Sequence, residues 1–498
     1  MLMTIVCIKS MAFVKPNSLF SNNMVLQRGE IVPVWGTANP NEKITVEFNG
    51  QNISTVAKEG RWMVKLKQMR ASNKPLTMTI TGENTVKIEN ILVGEVWVCS
   101  GQSNMEKVMG FMKNQPTITN SAYEIANANY PQIRQYKVPK KFSSTAITDA
   151  NAKWDVCDTN SVKLFSAVAY FFAKKLFEEK NIPIGIILSA VGGTHIESWI
   201  NKDELKGEKS IEELYDIYLK SYTQKQNELL KFQSDSVSII SQWKNDSSVA
   251  SINNKTIPVK PIAPALPPKE PTDGELFNGM IMPLRDFPIA GFVWYQGESD
   301  RSLAKQYNEL FPLLINSWRK FWGDKNIPFL FVQLPQFKTI GPEIREAQLA
   351  TYKNVKRTAM VVSLEYGDIN EIHPPNKKPI GERLAICANA LKYGSNNEYM
   401  GPIFESFKVV NGKIEISFSH IGSGLIAKDG NELTGFMISG PDKKFYTAKA
   451  VIVGNKVQVS SDKVTNPTNV RLGWSNDPEV NLFNKEGFLA SPFRTDFE

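Results

Sequence analysis

From Gly94 onward the chain alternates short apolar strands with helical stretches, and that alternation restricts the possible folds more than any other feature. The apolar runs are EVWVCS, IGIILSAV, AGFVWYQG, FLFVQL and AMVVSLEY. Between them lie amphipathic stretches such as VKLFSAVAYFFAKKLFEEK, where Phe165, Val168, Phe172 and Leu176 recur at spacings of three and four. The pattern predicts βαβ units around a mainly parallel sheet with helices on both faces, a three-layer α/β/α core. Ligand sites in such sheets lie at the carboxyl ends of the strands, so the loops after these runs are where chemistry is expected.

The rest of the chain has a different rhythm. Its 498 residues exceed what one hydrophobic core serves, and roughly two to four domains are expected. Over residues 15–92, short strands such as VPVWG, KITVEFNG and LTMTITG, separated by Gly, Asn and Pro, predict an N-terminal β-sandwich-like domain. The α/β domain is expected over 93–395, interrupted at about 206–275 by a charged helical stretch and the run IPVKPIAPALPPKEPTDG, which reads as a lid or packing elaboration. KIEISFSH, AKAVIVG and KVQVSS predict a C-terminal β domain over 396–498. Residues 1–14 read as a disordered leader or the remnant of an export signal, placing the protein in the periplasm or at the cell surface, with a cytoplasmic location as the other reading.

Composition excludes several classes. No apolar run approaches the roughly 18 residues a membrane span needs, and the net charge of +8 is spread along the chain without the basic block of a nucleic-acid arm. The four cysteines are too dispersed for a disulfide scaffold. No His/Cys/carboxylate set has metal-ligand spacing and no glycine-rich phosphate loop is present, so neither metal nor cofactor is expected.

The chain has only three histidines, His195, His373 and His420, which shortens the search for an imidazole base. Ser103, in GQSNM, follows an apolar strand and precedes a helix, a turn that exposes a hydroxyl and aims a backbone N–H at a developing oxyanion. Met105 replaces the second glycine of a G-x-S-x-G elbow, so the α/β-hydrolase fold is disfavoured; an ordinary helix N-cap is the plain alternative. Gly192 and Gly193 could bring a second N–H to the same oxygen, and Gln296, in WYQGESD, has a side-chain amide that donates without titrating. His373 lies in a loop stiffened by Pro374 and Pro375, with Asp368 and Glu371 as carboxylates to hold its other nitrogen. Glu298 or Asp300 paired with Glu371 would instead suit a glycosidase.

Taken in order, GQSNM at 101–105, GGTHIESW at 192–199, WYQGESD at 294–300 and IHPPNKKPIGERLA at 372–385 resemble the bacterial sialate O-acetylesterase family, a branch of the SGNH (GDSL-like) hydrolases. LFSNNMVLQRGEIVPVWGTANPNEKITVEFNGQ near the start and NPTNVRLGWSNDPEVNLFNKEGFLASPFRTD at the end are similar to it too. The resemblance implies an SGNH-type core with accessory β regions, an acetylated carbohydrate substrate, most readily 9-O-acetylated sialic acid or else acetylated xylan, and cofactor-free acyl transfer. Ser103 would be the nucleophile and His373 the base, with the oxyanion on the N–H groups of Ser103 and Gly193 and on Gln296. Gln102, Asn104, His195, Glu298 and Arg345 are the candidate substrate contacts. The wider family's D-x-x-H pattern would put its acid at position 370, which holds Asn370; the role passes to Glu371, with Asp368 as the alternative, or a Ser-His dyad operates.

Overall fold

The computed structural model describes residues 13–430 and 432–496. The export-signal reading falls mainly on residues 1–12, outside the described residues. Val14, assigned above to the leader, is buried and donates its backbone N–H to the Asn84 side chain at 2.7 Å, so it belongs to the folded body.

The central sheet runs in the order Trp154–Asp158, Asn129–Lys137, Ile184–Ala190, Thr85–Gly101, Gly291–Tyr295, Phe329–Gln333, Thr358–Val362. Only the first pair is antiparallel; the remaining neighbours are parallel. The five strands expected from sequence occupy five adjacent places. Four of them are buried along their whole length, which is why they read as continuous apolar runs and not as alternating ones.

Helices cover both faces. Trp97 packs edge-on against Phe172 of helix Ala167–Lys180, ring centroids 5.2 Å apart. Phe292 stands beside Val98 in register and therefore on the opposite face; it meets Trp318 of helix Ala304–Trp322 at 5.3 Å. Helix Lys378–Leu391 lies against Ala167–Lys180, where a Cβ on Gly381 would come within 2.7 Å of the Val168 carbonyl oxygen. Helix Pro342–Asn354 packs with Ala304–Trp322.

Thr85–Gly101 is one strand of 17 residues. Its first half pairs with Ser72–Thr81 and Val25–Gln27, its second with Ile184–Ala190 and Gly291–Tyr295. The expected boundary at 92/93 thus falls within a continuous strand, and the turn carrying Ser103 is anchored through it to the N-terminal β region. The C-terminal region holds two four-stranded antiparallel sheets and a two-stranded one. In Lys413–Ser419 and Lys456–Ser460 every second residue is buried, the period of a strand with one covered face. Across 206–275 the chain forms a 44-residue helix, Lys209–Ile252, followed by the extended Pro-rich run. Among the described residues no helix is long and apolar enough to cross a membrane.

Arg345 joins the C-terminal region to the core and is not a substrate contact. It is fully buried, and its guanidinium donates to the carbonyl oxygens of Leu334 at 3.1 Å, Pro335 at 3.1 Å, Ser475 at 2.8 Å and Asn476 at 3.1 Å. Arg345→Met would strip several buried carbonyls of their donors at once, each costing on the order of 1–3 kcal/mol. The variant is expected to lose roughly 3 kcal/mol or more of stability, read as a lower urea midpoint with an unchanged m-value.

Candidate active site

The Ser103 turn is built by what precedes it. Gly101 ends its strand at φ +136°, and a Cβ there would lie 2.1 Å from the Tyr295 carbonyl oxygen, so only glycine lets the two strand ends close. Gln102 follows, and Ser103 opens the short helix Ser103–Glu106, half-buried while Asn104, Met105 and Glu106 are buried. The N–H of Ser103, as the first of a helix, has no partner within it. Among the described residues neither it nor the N–H of Gly193 makes a hydrogen bond.

The second loop lies against this turn. A Cβ on Gly192 would stand 3.2 Å from the Ser103 Cβ, and its N–H donates to Glu106 Oε2 at 2.8 Å. Gly193 is exposed at φ +77°, with open space where its side chain would be. His195 Nδ1 sits 3.0 Å from Asp300 Oδ1, and its ring meets Tyr218 of the long helix, whose hydroxyl donates to Glu197 Oε1 at 3.3 Å. No metal set was visible in the sequence spacing, yet the fold brings donor atoms of His195, Glu197 and Asp300 within 4.8 Å of one another. Burial pulls the His195 pKa down, but the bond to Asp300 and the charges of Asp300 and Glu197 outweigh it, and the imidazole is pushed up to about 9. Burial above all, then the Asp300 charge, raises the Glu197 carboxyl.

Several candidate substrate contacts turn out to clasp the loops from beneath. Gln102 is buried, its Oε1 accepting from the backbone N–H of Ser299 at 3.2 Å and of Gly297 at 3.4 Å. Asn104 is fully buried; its Nδ2 donates to Glu298 Oε1 and to the Ile372 carbonyl oxygen at 3.0 Å. Glu298 is buried too, and burial raises its pKa. None of the three keeps a face for a sugar. His195, with 32% of its side chain exposed, stays accessible. The oxyanion role expected of Gln296 also needs correction: its Nε2 donates to the Thr194 carbonyl oxygen at 3.1 Å and to an Asp300 carboxylate oxygen, so both amide hydrogens are engaged. The free donors beside Ser103 are backbone groups.

The fourth loop carries His373, half-buried. Glu371 Oε1 lies 3.5 Å from His373 Nδ1 and accepts the His373 backbone N–H at 2.7 Å. Asp368 is exposed, and its carboxylate accepts from Asn370 N–H at 2.7 Å, an Asx turn that shapes the loop. Burial lowers the His373 pKa most; Glu371 raises it, Lys377 and Lys107 lower it further, and the net is below the usual histidine range. His420 lies elsewhere, held by Glu398 at 2.7 Å and Tyr352 at 2.8 Å. Of the three histidines, His373 is the one beside the Ser103 turn that is held toward its neutral, proton-accepting form.

Residues the sequence reading did not single out complete the frame: Glu106, which braces Gly192, and Lys377, whose ammonium donates to Asn104 Oδ1 while fully buried. Neither carries a sequence signal, since an acid in a helical turn and a lysine in a lysine pair read as surface residues.

The chain matches the family model of the sialic acid-specific acetylesterases, a carbohydrate esterase family, over residues 93–240 and 269–387. It is 28% identical to the mouse sialate O-acetylesterase over 451 residues, covering 80% of this chain and 78% of the relative. The human sialate O-acetylesterase is 28% identical over 461 residues, covering 84% and 78%. In structure it is similar to a carbohydrate acetylesterase from Xanthomonas citri, with a TM-score of 0.80, 32% identity and coverage of 97% of this chain and 100% of the other. The expected resemblance to sialate O-acetylesterases holds; its bacterial restriction does not, because the curated relatives are mammalian.

Proposed function

The chain belongs to the carbohydrate esterases of the sialic acid-specific acetylesterase family, and from that premise we propose that it removes 9-O-acetyl groups from sialic acids by a Ser-His acyl-enzyme route. As an esterase of the serine type, it needs a hydroxyl nucleophile, a neutral imidazole and N–H donors for the oxyanion. In this reading His373 takes the Ser103 proton as Oγ attacks the acetyl carbonyl. The oxyanion rests on the N–H groups of Ser103 and Gly193. His373 then gives its proton to the departing sugar oxygen, and water repeats the attack to release acetate. Glu371 holds the imidazole and stabilises its charged form. Gln296 sits behind the oxyanion position, fixing Asp300 and the Thr194 carbonyl.

The observation that carries this reading is the Asn104 amide, which ties the residue next to Ser103 to the carbonyl just before His373. The loops at the carboxyl ends of adjacent strands suit an SGNH-type arrangement, which we include in the proposal together with action outside the cytoplasm, where acetylated glycans are met. The glycosidase alternative fits less well, because Glu298 is buried and spent on Asn104.

A second reading has one observation in its favour: the Xanthomonas relative, similar over nearly the whole chain, is described as a carbohydrate acetylesterase without reference to sialic acid. Acetate release measured side by side from 9-O-acetylated sialic acid and acetylated xylan decides between them. Faster release from the sialic acid supports the proposal; release from xylan alone overturns its substrate.

The low His373 pKa fixes the pH response. The base acts when neutral, so activity falls as pH drops through its pKa, and that pKa lies below the ordinary histidine value of about 6.5. The acid limb of the kcat/KM profile is expected to have its midpoint below that value. A midpoint above it would assign the limb to another group.

A further inference from the structure

Lys377 is a charged residue in a place that helix energetics does not explain. It stands immediately before helix Lys378–Leu391, where an ammonium opposes the helix dipole, and it is fully buried. Its Nζ donates to Asn104 Oδ1 and lies 5.1 Å from the centre of the Tyr295 ring, at the end of the strand before the third loop. Glu298, Lys107 and Glu371 are the charges that act on it. Burial lowers it most, Glu298 and Glu371 oppose that, Lys107 adds to it, and the net leaves the ammonium pushed down to about 7.

The two ends of an asparagine amide have the same shape and opposite hydrogen-bonding character. A lysine in its ammonium form has only donors, so in that form it can face only the oxygen. With Lys377 on Oδ1, the NH2 must point the other way, toward Glu298 Oε1 and the Ile372 carbonyl. Turned over, the amide would set its oxygen against a carboxylate and a carbonyl, and its NH2 against an ammonium. One buried charge thereby decides which way Asn104 pulls, and Asn104 holds three of the four loops together.

We propose that Lys377 is a positioning residue for the esterase reaction: it fixes the orientation of the Asn104 amide and so holds the His373 loop in register with the Ser103 turn. This rests on the Ser103–His373 reading. Lys377 acts on His373 in a second way, since its positive charge, with that of Lys107, opposes the pull of Glu371 on the imidazole and favours the neutral base.

Lys377→Met keeps an unbranched side chain one atom shorter and removes both donor and charge. Its kcat on p-nitrophenyl acetate is expected to fall roughly 10- to 100-fold, the scale of a small misplacement of reacting groups, with KM changed by less than about twofold. With only three histidines in the chain, ring NMR titration resolves His373, and its midpoint is expected to move to higher pH in the variant. Wild-type kcat with an unmoved His373 midpoint would overturn the proposal. Should Lys377→Met fail to fold, the pair Asn104→Asp with Glu298→Gln tests the same point. It conserves net charge, keeps acceptors for Lys377 and a link to position 298, and loses only the donor to the Ile372 carbonyl. The same fall in kcat supports the proposal, and wild-type kcat refutes it. Ser103→Ala is assayed alongside: if it stays active, the reading of the reaction fails; if it is dead while the Lys377 and Asn104 variants behave as wild type, only the positioning role fails.

Discussion

Replacing Ser103 by alanine is expected to lower kcat for acetyl-ester hydrolysis by roughly a million-fold, with KM changed little, the scale seen when the nucleophile of a serine hydrolase is removed. The size of the loss follows from the absence of a substitute. Asn104, Met105 and Glu106 are buried behind Ser103, and the neighbouring Gly192 and Gly193 carry no side chain. Residual rate would come from the open backbone N–H groups at positions 103 and 193, which the substitution leaves in place. The Ser103 Cβ, which faces Gly192, is retained in the variant, and only the hydroxyl is lost, so stability should hardly change. Acetate release and a thermal melt on the same sample separate loss of chemistry from loss of fold.

His373→Ala is expected to cost about as much, since nucleophile and base act as a unit and removing either disables both. No other imidazole can take over. His195 is held in its charged form by Asp300, with its pKa pushed up to about 9, and His420 is bound to Glu398 and Tyr352 in another part of the molecule. Added imidazole should restore part of the rate to this variant, filling the half-buried space the ring leaves, and should do nothing for Ser103→Ala. A comparison of the two with and without imidazole assigns the base role to one residue. If His195→Ala proved the deleterious change and His373→Ala did not, the assignment would be reversed.

The sequence revealed the core strands because each is buried on both faces, which forces a short run of apolar residues. It did not reveal the Asn129–Lys137 and Trp154–Asp158 strands at the sheet edge. There NYPQIRQYK carries Arg134 and Gln135, and both are buried because the fold supplies partners: Arg134 donates to the Pro131 carbonyl at 2.6 Å, and Gln135 accepts from Ser166 N–H at 3.1 Å. Polarity in the sequence therefore misreported burial. The same cause explains the misread contacts. Gln102, Asn104, Glu298 and Arg345 are polar residues in or near motif loops, where polar usually means substrate, but each is consumed by backbone and loop partners distant in sequence. The chemistry of Gln296 alone suits an oxyanion donor, and only the positions of Thr194 and Asp300 disclose that its donors are engaged. The roles proposed for Ser103, His373 and Glu371 could be read in the sequence because they depend on short-range features: a strand-end glycine turn, a proline-stiffened loop, and a carboxylate two residues from its imidazole.

If the acetyl group passes through Ser103, rapid quenching followed by peptide mapping finds it there. Enzyme mixed with excess acetyl ester and quenched in acid during steady turnover is predicted to carry one added acetyl group on the peptide containing Ser103, absent from His373→Ala under the same conditions. An acetyl group on any other residue, or none on an enzyme that is turning over with slow deacylation, would rule out Ser103 as the nucleophile.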